Sequence, residues 1–400
     1  MKSISIVTLG CPRNTVDSEV IGEIVNKGDY ILAKYPEESD IVLINTCGFI
    51  KSAEIESLDV IRETAKLKKA GKIAKLIVVG CLVQRYKNRL KDQISEIDEI
   101  FGVEKFSEIA SYLNIEGNYK NYKREFSFFK HFSYIKISEG CDSNCSYCTV
   151  PKIRGGYRSR YPEDIFEEAH KLAESGVKEL ILVAEDTASY GKDFKNGFDL
   201  GCIIKGLNKI EGVKWIRIMY LHPARLNEKI LEDISETDKV CSYLDIPLQH
   251  ISDKILKDMR RMISKERIIK LLEKIRLRMP DIALRTTFIV GFPGESEKDF
   301  NELYEFVKEK EFDRLGVFKY SKEKGTDAYN MKDHIPEEVK DERLNELMLL
   351  QQEISLRKNE YLIGKNVNVL VDSFDVKNSV SIGRTEKDAP EIDNSVVIND

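Results

Sequence analysis

The sequence predicts an α/β protein in three parts: an N-terminal open parallel sheet with helices, a central β/α barrel and a small C-terminal antiparallel β module. Short β-branched apolar segments alternate with helix-like segments through most of the 400 residues, which favours parallel strands. Three cysteines cluster directly after one strand of the second series. The last segment changes to short β-type runs separated by turn residues. We place the three parts at residues 1–116, 127–361 and 364–400.

Composition limits the possible classes of protein. Hydrophobic residues make up 42% and charged residues 33% of the chain, as in an ordinary water-soluble protein. No apolar run is long enough for a membrane helix, and the N-terminus continues into a strand instead of a signal peptide. The eight cysteines are too sparse for a disulfide scaffold, which favours a reducing, cytoplasmic location. The net charge of −5 argues against a surface built throughout to bind nucleic acid.

The N-terminal elements alternate regularly. The predicted strands are Ile4–Leu9, Ile41–Asn45, Leu76–Val79 and Ile97–Phe101. The helices that follow them are predicted at Val16–Asn26, at Ala53–Lys69, near Arg85–Ser95 and at Lys105–Leu113. The polar, aromatic and basic segment Glu116–Lys130 is typical of a linker.

A second series of strands and helices begins at Phe132. The predicted strands are Tyr134–Ile137, Glu179–Val183, Trp215–Met219, Tyr243–Ile246, Ala283–Ile289 and Arg314–Phe318. Helices are predicted at Pro162–Glu174, Leu200–Ile210, Asn227–Glu236, Ser264–Arg278 and Glu297–Lys310. Six strands with crossover helices fit a partial or complete β/α barrel. A long helix, Glu337–Tyr361, precedes Gly364, and the tail carries β runs at Asn366–Val371, Ser379–Gly383 and Val396–Ile398.

The cysteine cluster has the spacing Cys-x3-Cys-x2-Cys, at Cys141, Cys145 and Cys148. Three thiolates this close can hold three irons of a four-iron cluster, which normally takes four cysteines. One iron would then be open to another ligand. Zinc is the first alternative, but structural zinc sites usually fill all four positions. A disulfide is disfavoured by the distance in sequence to any other cysteine, and three unrelated cysteines would rarely cluster in this way.

Cys11, Cys47 and Cys81 share one context, since each lies at the end of an N-terminal strand. Ends of parallel strands gather at one edge of a sheet, where ligands bind. Any one of these cysteines alone is better explained by packing at a strand end. Together they favour a second metal site. Cys202 and Cys241 lack this context, and we expect both to be structural.

Polar residues also follow the predicted barrel strands, where reactive groups of such barrels lie. Glu185 and Asp186 end one strand, Gln249 and His250 another, and Gly291 and Gly294 follow a third. Each also has a plain structural alternative: a solvated turn for Glu185 and Asp186, a satisfied core amide for Gln249, and a tight turn for the two glycines. The basic residues after the cysteine cluster either steer an anionic group or form a solvated loop face: Arg154, Arg158 and Arg160.

The cysteine cluster, with Tyr147 before its last member, resembles the radical S-adenosylmethionine superfamily. The three-cysteine N-terminal part and the C-terminal β module resemble its methylthiotransferase branch, in which that module is called a TRAM domain. The segments most similar to the RimO family are Gly10–Glu19, Ile153–Arg160, Tyr243–Asp253, Leu284–Glu295 and Gly383–Asp393. The transfer-RNA-modifying MiaB relatives typically have Gln-Met where this chain has Pro12-Arg13. The family's β module usually continues further, so its last strands are expected to be missing here.

This resemblance implies a two-cluster enzyme. Cys141, Cys145 and Cys148 would hold a 4Fe–4S cluster that binds and cleaves S-adenosylmethionine. Cys11, Cys47 and Cys81 would hold a second 4Fe–4S cluster that carries the sulfur. A second S-adenosylmethionine would supply the methyl group. Tyr147, Glu185, Asp186 and Gln249 match cofactor-binding positions, and Arg285 is a further candidate.

The resemblance also implies a substrate and partners. RimO enzymes modify an aspartate of a small-subunit ribosomal protein, and a flavodoxin or ferredoxin would deliver the electron. From Gly364 onward the chain has four basic and seven acidic residues, a difference of −3, which suits a basic ribosomal protein better than transfer RNA. A surface that is merely kept soluble explains the charge equally well. The remaining alternatives are a transfer-RNA methylthiotransferase and a non-catalytic iron–sulfur scaffold.

Overall fold

The computed structural model describes residues 1–117, 119, 124, 128, 131–195 and 197–399. The predicted linker at 116–130 therefore lies mostly outside the described residues. The chain divides into two compact units. The first comprises residues 1–142, 148–177 and 183–185, and the second comprises residues 143–147, 178–182 and 186–400. No helix in the described ranges combines the length and apolar character that a membrane span requires.

The N-terminal part is an open, five-stranded parallel sheet with strand order β2-β1-β3-β4-β5. The strands are β1 (Lys2–Thr8), β2 (Tyr30–Ala33), β3 (Ile41–Thr46), β4 (Lys75–Gly80) and β5 (Glu99–Phe101). Every residue of β3 is buried, as expected for a central strand covered on both faces. The predicted parallel sheet is confirmed. The sequence analysis missed β2, a four-residue edge strand whose side chains are only partly buried.

Five helices flank this sheet: α1 (Pro12–Asn26), α2 (Lys51–Lys69), α3 (Cys81–Tyr86), α4 (Arg89–Gln93) and α5 (Phe106–Tyr112). Pro12 suits the first turn of α1, because its fixed φ is helical and its missing N–H has no partner there. The single helix expected near Arg85–Ser95 is instead α3 and α4. Lys87 has a φ of 52° and interrupts the helical backbone between them. The core beneath includes Val42 and Ile44 of β3 with Ile61 of α2.

The central part alternates strands and helices. Its strands are β6 (Phe132–Lys136), β7 (Ser138–Glu139), β8 (Arg158–Ser159), β9 (Glu179–Val183), β10 (Trp215–Ile218), β11 (Tyr243–Asp245), β12 (Ala283–Val290) and β13 (Arg314–Lys319). Its helices are α6 (Val150–Arg154), α7 (Pro162–Glu174), α8 (Leu200–Asn208), α9 (Glu228–Ser235), α10 (Asp253–Asp258), α11 (Lys265–Arg278), α12 (Glu297–Lys310) and α13 (Glu337–Glu360).

The long strands of this part are parallel, as the prediction of a β/α barrel requires. In the second unit β9 pairs with β10, and β12 pairs with both β11 and β13. In the first unit the Ile137 N–H donates to the Val183 carbonyl oxygen at 3.0 Å. The short pair β7–β8 and the helices α6 and α10 were not predicted.

The C-terminal module is an antiparallel sheet of order β14-β15-β16, as predicted. Its strands are β14 (Val369–Asp375), β15 (Val380–Thr385) and β16 (Val396–Asn399). Gly364, with a φ of 79°, follows the last turn of α13, in agreement with its predicted role as a helix stop.

Candidate active site

Three neighbouring strands of the N-terminal sheet bring Cys11, Cys47 and Cys81 toward one another. Cys11 is the N-cap of α1 after β1, Cys47 follows β3, and Cys81 begins α3 directly after β4. These strands are adjacent in the order β1-β3-β4. Gly10 leaves space for this approach, because a Cβ added there would lie 2.9 Å from the Cys47 sulfur. The close packing and its φ of 91° therefore require glycine at position 10.

Asn14 connects the loops that carry these cysteines. Its Nδ2 donates to the Leu9 carbonyl oxygen at 2.7 Å and to the Thr46 carbonyl oxygen at 3.1 Å. Its Oδ1 lies 3.9 Å from the Cys81 sulfur, which donates a weak hydrogen bond to it. Asn14 is fully buried and was not singled out in the sequence, because its partners are distant along the chain.

Two arginines make this site electropositive. The Arg13 Nη2 lies 3.7 Å from the Cys11 sulfur. Burial raises the pKa of Cys11, but the positive charges of Arg13 and Arg154 outweigh it and hold the pKa below its usual value. Burial dominates at the other two thiols, raising the pKa of Cys47 and raising that of Cys81 to about 12. A lowered pKa beside arginines is typical of a cysteine that acts as a ligand or nucleophile.

Arg154 is held by a buried ion-pair network that the sequence analysis did not foresee. Its Nη1 donates to the two Glu139 oxygens at 3.1 and 3.0 Å, and its Nη2 lies 3.3 Å from Asp17. The Lys136 Nζ lies 2.5 Å from Asp17 and 2.6 Å from Glu139. Burial opposes ionisation of Glu139, but these two cations hold its pKa far below its usual value. Arg154 therefore does not lie on a solvated loop face.

The other two arginines of that loop differ from each other. Arg160 is also buried, 2.7 Å from the Glu168 carboxylate. Arg158 is exposed and pairs with Glu104. Of the two interpretations left open for these arginines, the solvated loop face therefore fits only Arg158. Arg124, from the segment predicted as a linker, is buried as well and its Nε donates to Glu168 at 2.8 Å.

The Cys141–Cys148 loop is fixed by backbone contacts within each unit. In the first unit the Cys141 N–H donates to the Gly155 carbonyl oxygen at 3.1 Å. In the second unit the Ser146 N–H donates to the Met259 carbonyl oxygen at 3.1 Å, and the Arg261 Nη1 lies 3.7 Å from the Cys145 sulfur. All three cysteines of the loop are partly exposed. The loop is therefore anchored while its thiols stay accessible.

Neither set of cysteines is already arranged around a single ion. In the part of the chain that the structure describes, no three His, Cys, Asp or Glu side chains are close enough to hold one metal ion. A four-iron cluster spaces its thiolate ligands more widely than one ion does. Partly exposed thiols beside Arg13 and Arg261 fit an anionic iron–sulfur group, because thiolates are its ligands and cations stabilise them.

The predicted cofactor-binding residues occupy different environments. Glu185 is buried in the first unit, 2.9 Å from the Arg13 Nη1. Asp186 accepts from Ser189 at 2.5 Å and lies 3.1 Å from Arg225. The Tyr147 ring packs edge-on against Phe292, with ring centroids 6.5 Å apart.

Gln249 has a φ of 74°, and its backbone exchanges hydrogen bonds with Thr287 and Ile289 of β12. A non-glycine residue held at positive φ beside a strand end is a feature often found at functional sites. The adjacent His250 is buried, and burial lowers its pKa to about 3, so it is neutral at physiological pH.

Contacts of Arg285 and of the two glycines favour structural roles. The Arg285 Nη1 lies 2.9 Å from Asp245, and its Nε lies 3.5 Å from Asp393 of the C-terminal module. A Cβ added at Gly291 would lie 2.2 Å from the Lys340 side chain of α13, so close helix packing explains this glycine. Gly294 has a φ of 79°, as in a tight turn. Cys241 is buried and Cys202 lies in the first turn of α8, in keeping with the structural roles expected of them.

Comparison with known families finds matches in three ranges of the chain. Residues 135–307 match the radical SAM superfamily, residues 3–102 match the uncharacterised protein family UPF0004, and residues 363–400 match the TRAM domain. Among solved structures, the radical S-adenosylmethionine methyltransferase TsrM from Kitasatospora setae has a TM-score of 0.57 at 12% identity, covering 80% of this chain and 75% of that chain. The cobalamin-dependent S-adenosylmethionine radical enzyme OxsB has a TM-score of 0.55 at 13% identity, covering 96% and 64%. The fold and cysteine loop thus define the radical SAM class.

Curated relatives specify the family. The ribosomal protein uS12 methylthiotransferase RimO of Aquifex aeolicus is 46% identical over 396 residues, covering 99% of this chain and 90% of the relative. The enzyme of the same name from Clostridioides difficile is 46% identical over 412 residues, covering 100% and 93%. The chain belongs to the RimO family of ribosomal protein uS12 methylthiotransferases.

Proposed function

We propose that this chain is a transferase that adds a methylthio group to the β-carbon of an aspartate in ribosomal protein uS12. The family assignment supports the uS12 substrate, since the relatives with this near full-length similarity are named for it. The observation that carries the proposal is the convergence of Cys11, Cys47 and Cys81 beside Arg13, in addition to the cysteine loop at Cys141–Cys148. This second set offers a place for a sulfur-carrying cluster that is separate from the one at the cysteine loop.

The two cysteine sets have separate tasks in this proposal. Cys141, Cys145 and Cys148 hold one 4Fe–4S cluster, and Cys11, Cys47 and Cys81 hold another. When bound, the clusters supply the electron that cleaves S-adenosylmethionine and the sulfur that is transferred. Arg261 places a cation 3.7 Å from the Cys145 sulfur, and Arg13 does the same at Cys11. At Cys11 the positive charge of Arg13 helps to hold the pKa below its usual value, which favours the thiolate that ligates iron.

Cofactor binding is assigned to the residues at the barrel strand ends. Glu185, Asp186 and Gln249, with Tyr147, are proposed to contact S-adenosylmethionine. The two Glu185 oxygens are buried without a hydrogen-bond donor among the described residues, which suits an incoming ligand that donates. Arg285 is assigned a structural role, because Asp245 and Asp393 occupy its guanidinium.

The contacts of the C-terminal module change the argument about substrate charge. Glu386 accepts from the Ser242 N–H just before β11, Asp388 and Asp393 bind Arg314 and Tyr243 of the central strands, and Asp372 pairs with Arg384. These acidic side chains are engaged within the second unit and offer little charge to a basic partner. The choice of uS12 over transfer RNA therefore depends on the curated relatives. We propose a cytoplasmic location, where uS12 is available, and a flavodoxin or ferredoxin as reductant.

The test is anaerobic incubation of the reconstituted protein with reductant, S-adenosylmethionine and either uS12 or transfer RNA. Mass spectrometry should find one hydrogen replaced by a methylthio group on the uS12 aspartate. Modification of the RNA alone would establish the transfer-RNA alternative. Failure to cleave S-adenosylmethionine after full cluster reconstitution would support the non-catalytic scaffold.

A further inference from the structure

The guanidinium of Arg13 lies between two acidic groups of the first unit. Its Nη2 is 3.7 Å from the Cys11 sulfur, and its Nη1 is 2.9 Å from Glu185 Oε1. The side chain keeps 17% of its surface exposed, whereas that of Glu185 keeps 3%. Arg13 is therefore the partly accessible cation of the three-cysteine site.

Arg154, the other cation of this site, is committed to partners within the protein. Its two terminal nitrogens bind both Glu139 oxygens and the Asn14 Oδ1, and its side chain is only 2% exposed. An incoming anion would have to displace Glu139, which Lys136 also holds. Arg154 thus has a structural role in this site, and Arg13 is the more accessible of the two cations to a ligand.

The charged groups of Arg13 and Glu185 lie within ion-pair distance, but their orientation is poor for hydrogen bonding. Neither Glu185 oxygen has hydrogen-bond geometry with a donor of the described chain. A guanidinium binds a carboxylate best through two parallel N–H···O bonds, which this pair does not form. A carboxylate can therefore bind beside Arg13, and a better aligned carboxylate can displace Glu185 from this contact.

We propose that Arg13 binds the side-chain carboxylate of the aspartate that is modified, and that Glu185 occupies Arg13 until the substrate arrives. This inference rests on the proposed function. In aspartate the carboxyl carbon is bonded directly to the β-carbon, so a carboxylate held by Arg13 places the β-carbon close to the Cys11 loop. The same contact selects aspartate over neutral side chains, because an asparagine cannot replace a carboxylate in a paired guanidinium contact.

The test is the binding of two uS12 peptides, one with the target aspartate and one with asparagine in its place. Fluorescence anisotropy with the cluster-reconstituted full chain measures both affinities before any turnover. Charged hydrogen bonds contribute about 1.5–3 kcal/mol, so wild-type protein should prefer the aspartate peptide by about 10- to 100-fold. Arg13→Gln should bring that ratio close to one, and Arg13→Lys should give an intermediate ratio. Glu185→Gln should increase the affinity for the aspartate peptide but not for the asparagine peptide, because it removes the carboxylate that competes for Arg13.

Arg158→Gln is the matched control, since Arg158 is exposed and pairs with Glu104. It should leave the aspartate-to-asparagine ratio unchanged. If Arg13→Gln loses iron or folds poorly, the Arg13→Lys and Glu185→Gln ratios decide the question. Equal affinities of wild-type protein for both peptides, with methylthiolation of the aspartate peptide intact, would overturn the role of Arg13 alone. Absence of both binding and modification would instead count against the uS12 substrate.

Discussion

The Arg314 Nε, at the start of β13, lies 2.9 Å from Asp388 Oδ1 in the segment that follows β15. Asp388 Oδ2 accepts a hydrogen bond from the Thr385 hydroxyl at 2.6 Å. The same segment meets the central strands again, where the Tyr243 hydroxyl donates to Asp393 at 2.8 Å and Arg217 donates to the Glu386 carbonyl oxygen at 2.8 Å. Within the second unit, the C-terminal module is therefore anchored to the central strands by buried polar contacts.

Asp388→Asn should destabilise the second unit. Asp388 is 3% exposed, and its replacement leaves the Arg314 guanidinium without its carboxylate in a largely buried position. Loss of a buried charged partner costs about 2–4 kcal/mol in free energy of unfolding. Urea denaturation measures the change. Glu353→Gln, on the exposed face of α13, is the control and should change the free energy by less than about 0.5 kcal/mol. Equal effects of the two variants would contradict the anchoring role of Asp388.

Lys136→Met should destabilise the first unit strongly. The lysine is completely buried between Asp17 and Glu139, so its removal leaves two buried carboxylates that both pair with the single guanidinium of Arg154. Breaking a buried ion pair on one side costs about 3–5 kcal/mol. Adding Glu139→Gln to Lys136→Met should recover part of the loss, as a double-mutant cycle in urea denaturation would measure.

Lys66→Met is the control for Lys136→Met. Lys66 pairs with Glu63 at the same three-residue spacing, but both side chains are exposed. An exposed pair contributes about 0–1 kcal/mol, so this variant should be nearly neutral. A double variant Lys136→Met/Glu139→Gln as unstable as the sum of its single variants would argue against coupling in the network.

Local patterns were sufficient for most of the longer strands and for the cysteine loop. Apolar runs located β1, β3, β4 and the longer central strands; the runs are most continuous where both faces of a strand are buried, as in β3. The Cys141–Cys148 loop is a local motif. The convergence of Cys11, Cys47 and Cys81 could be inferred because strand ends in a parallel sheet gather at one edge.

The buried polar network could not be predicted in the same way. Lys136 lies in an apolar strand, and its partner Asp17 is 119 residues away in sequence. Nothing in the local pattern distinguishes a lysine that is paired with a distant carboxylate from one that reaches solvent. For the same reason the sequence left open whether Arg154, which lies four residues before the exposed Arg158, belongs to a solvated loop face. The acidic residues of the tail show the same difficulty, because Asp388 and Asp393 pair with arginines of distant strands.

Glu295→Gln should change the pH dependence of stability. Glu295 is buried, and burial raises its pKa to about 7 from 4.5, although Arg343 lies 2.9 Å away and opposes the shift. The folded protein then keeps a proton that the unfolded chain releases between pH 4.5 and 7. Wild-type stability therefore falls as the pH rises through this range, by up to about 3 kcal/mol.

In Glu295→Gln this fall should be absent, so the variant gains stability relative to wild type from pH 4.5 to 7 and the difference is constant above that range. Urea denaturation at closely spaced pH values measures it. Glu342→Gln, at an exposed position of α13, should follow the wild-type curve. A wild-type stability that is level between pH 4.5 and 7 relative to Glu295→Gln, and that falls as the pH drops below 4.5, would mean that Arg343 dominates over burial at this carboxyl.

Replacement of Cys11, Cys47 and Cys81 by alanine should separate the two chemical tasks. Bound iron should fall to about half, because the loop cysteines Cys141, Cys145 and Cys148 remain. Reductive cleavage of S-adenosylmethionine, followed as 5′-deoxyadenosine, should continue, while methylthiolation of uS12 should stop. Cys202→Ala, a partly exposed cysteine outside both sets, is the control and should retain all the iron and both activities. Loss of 5′-deoxyadenosine formation in a folded triple variant would show that the N-terminal cysteines serve the cleavage reaction itself.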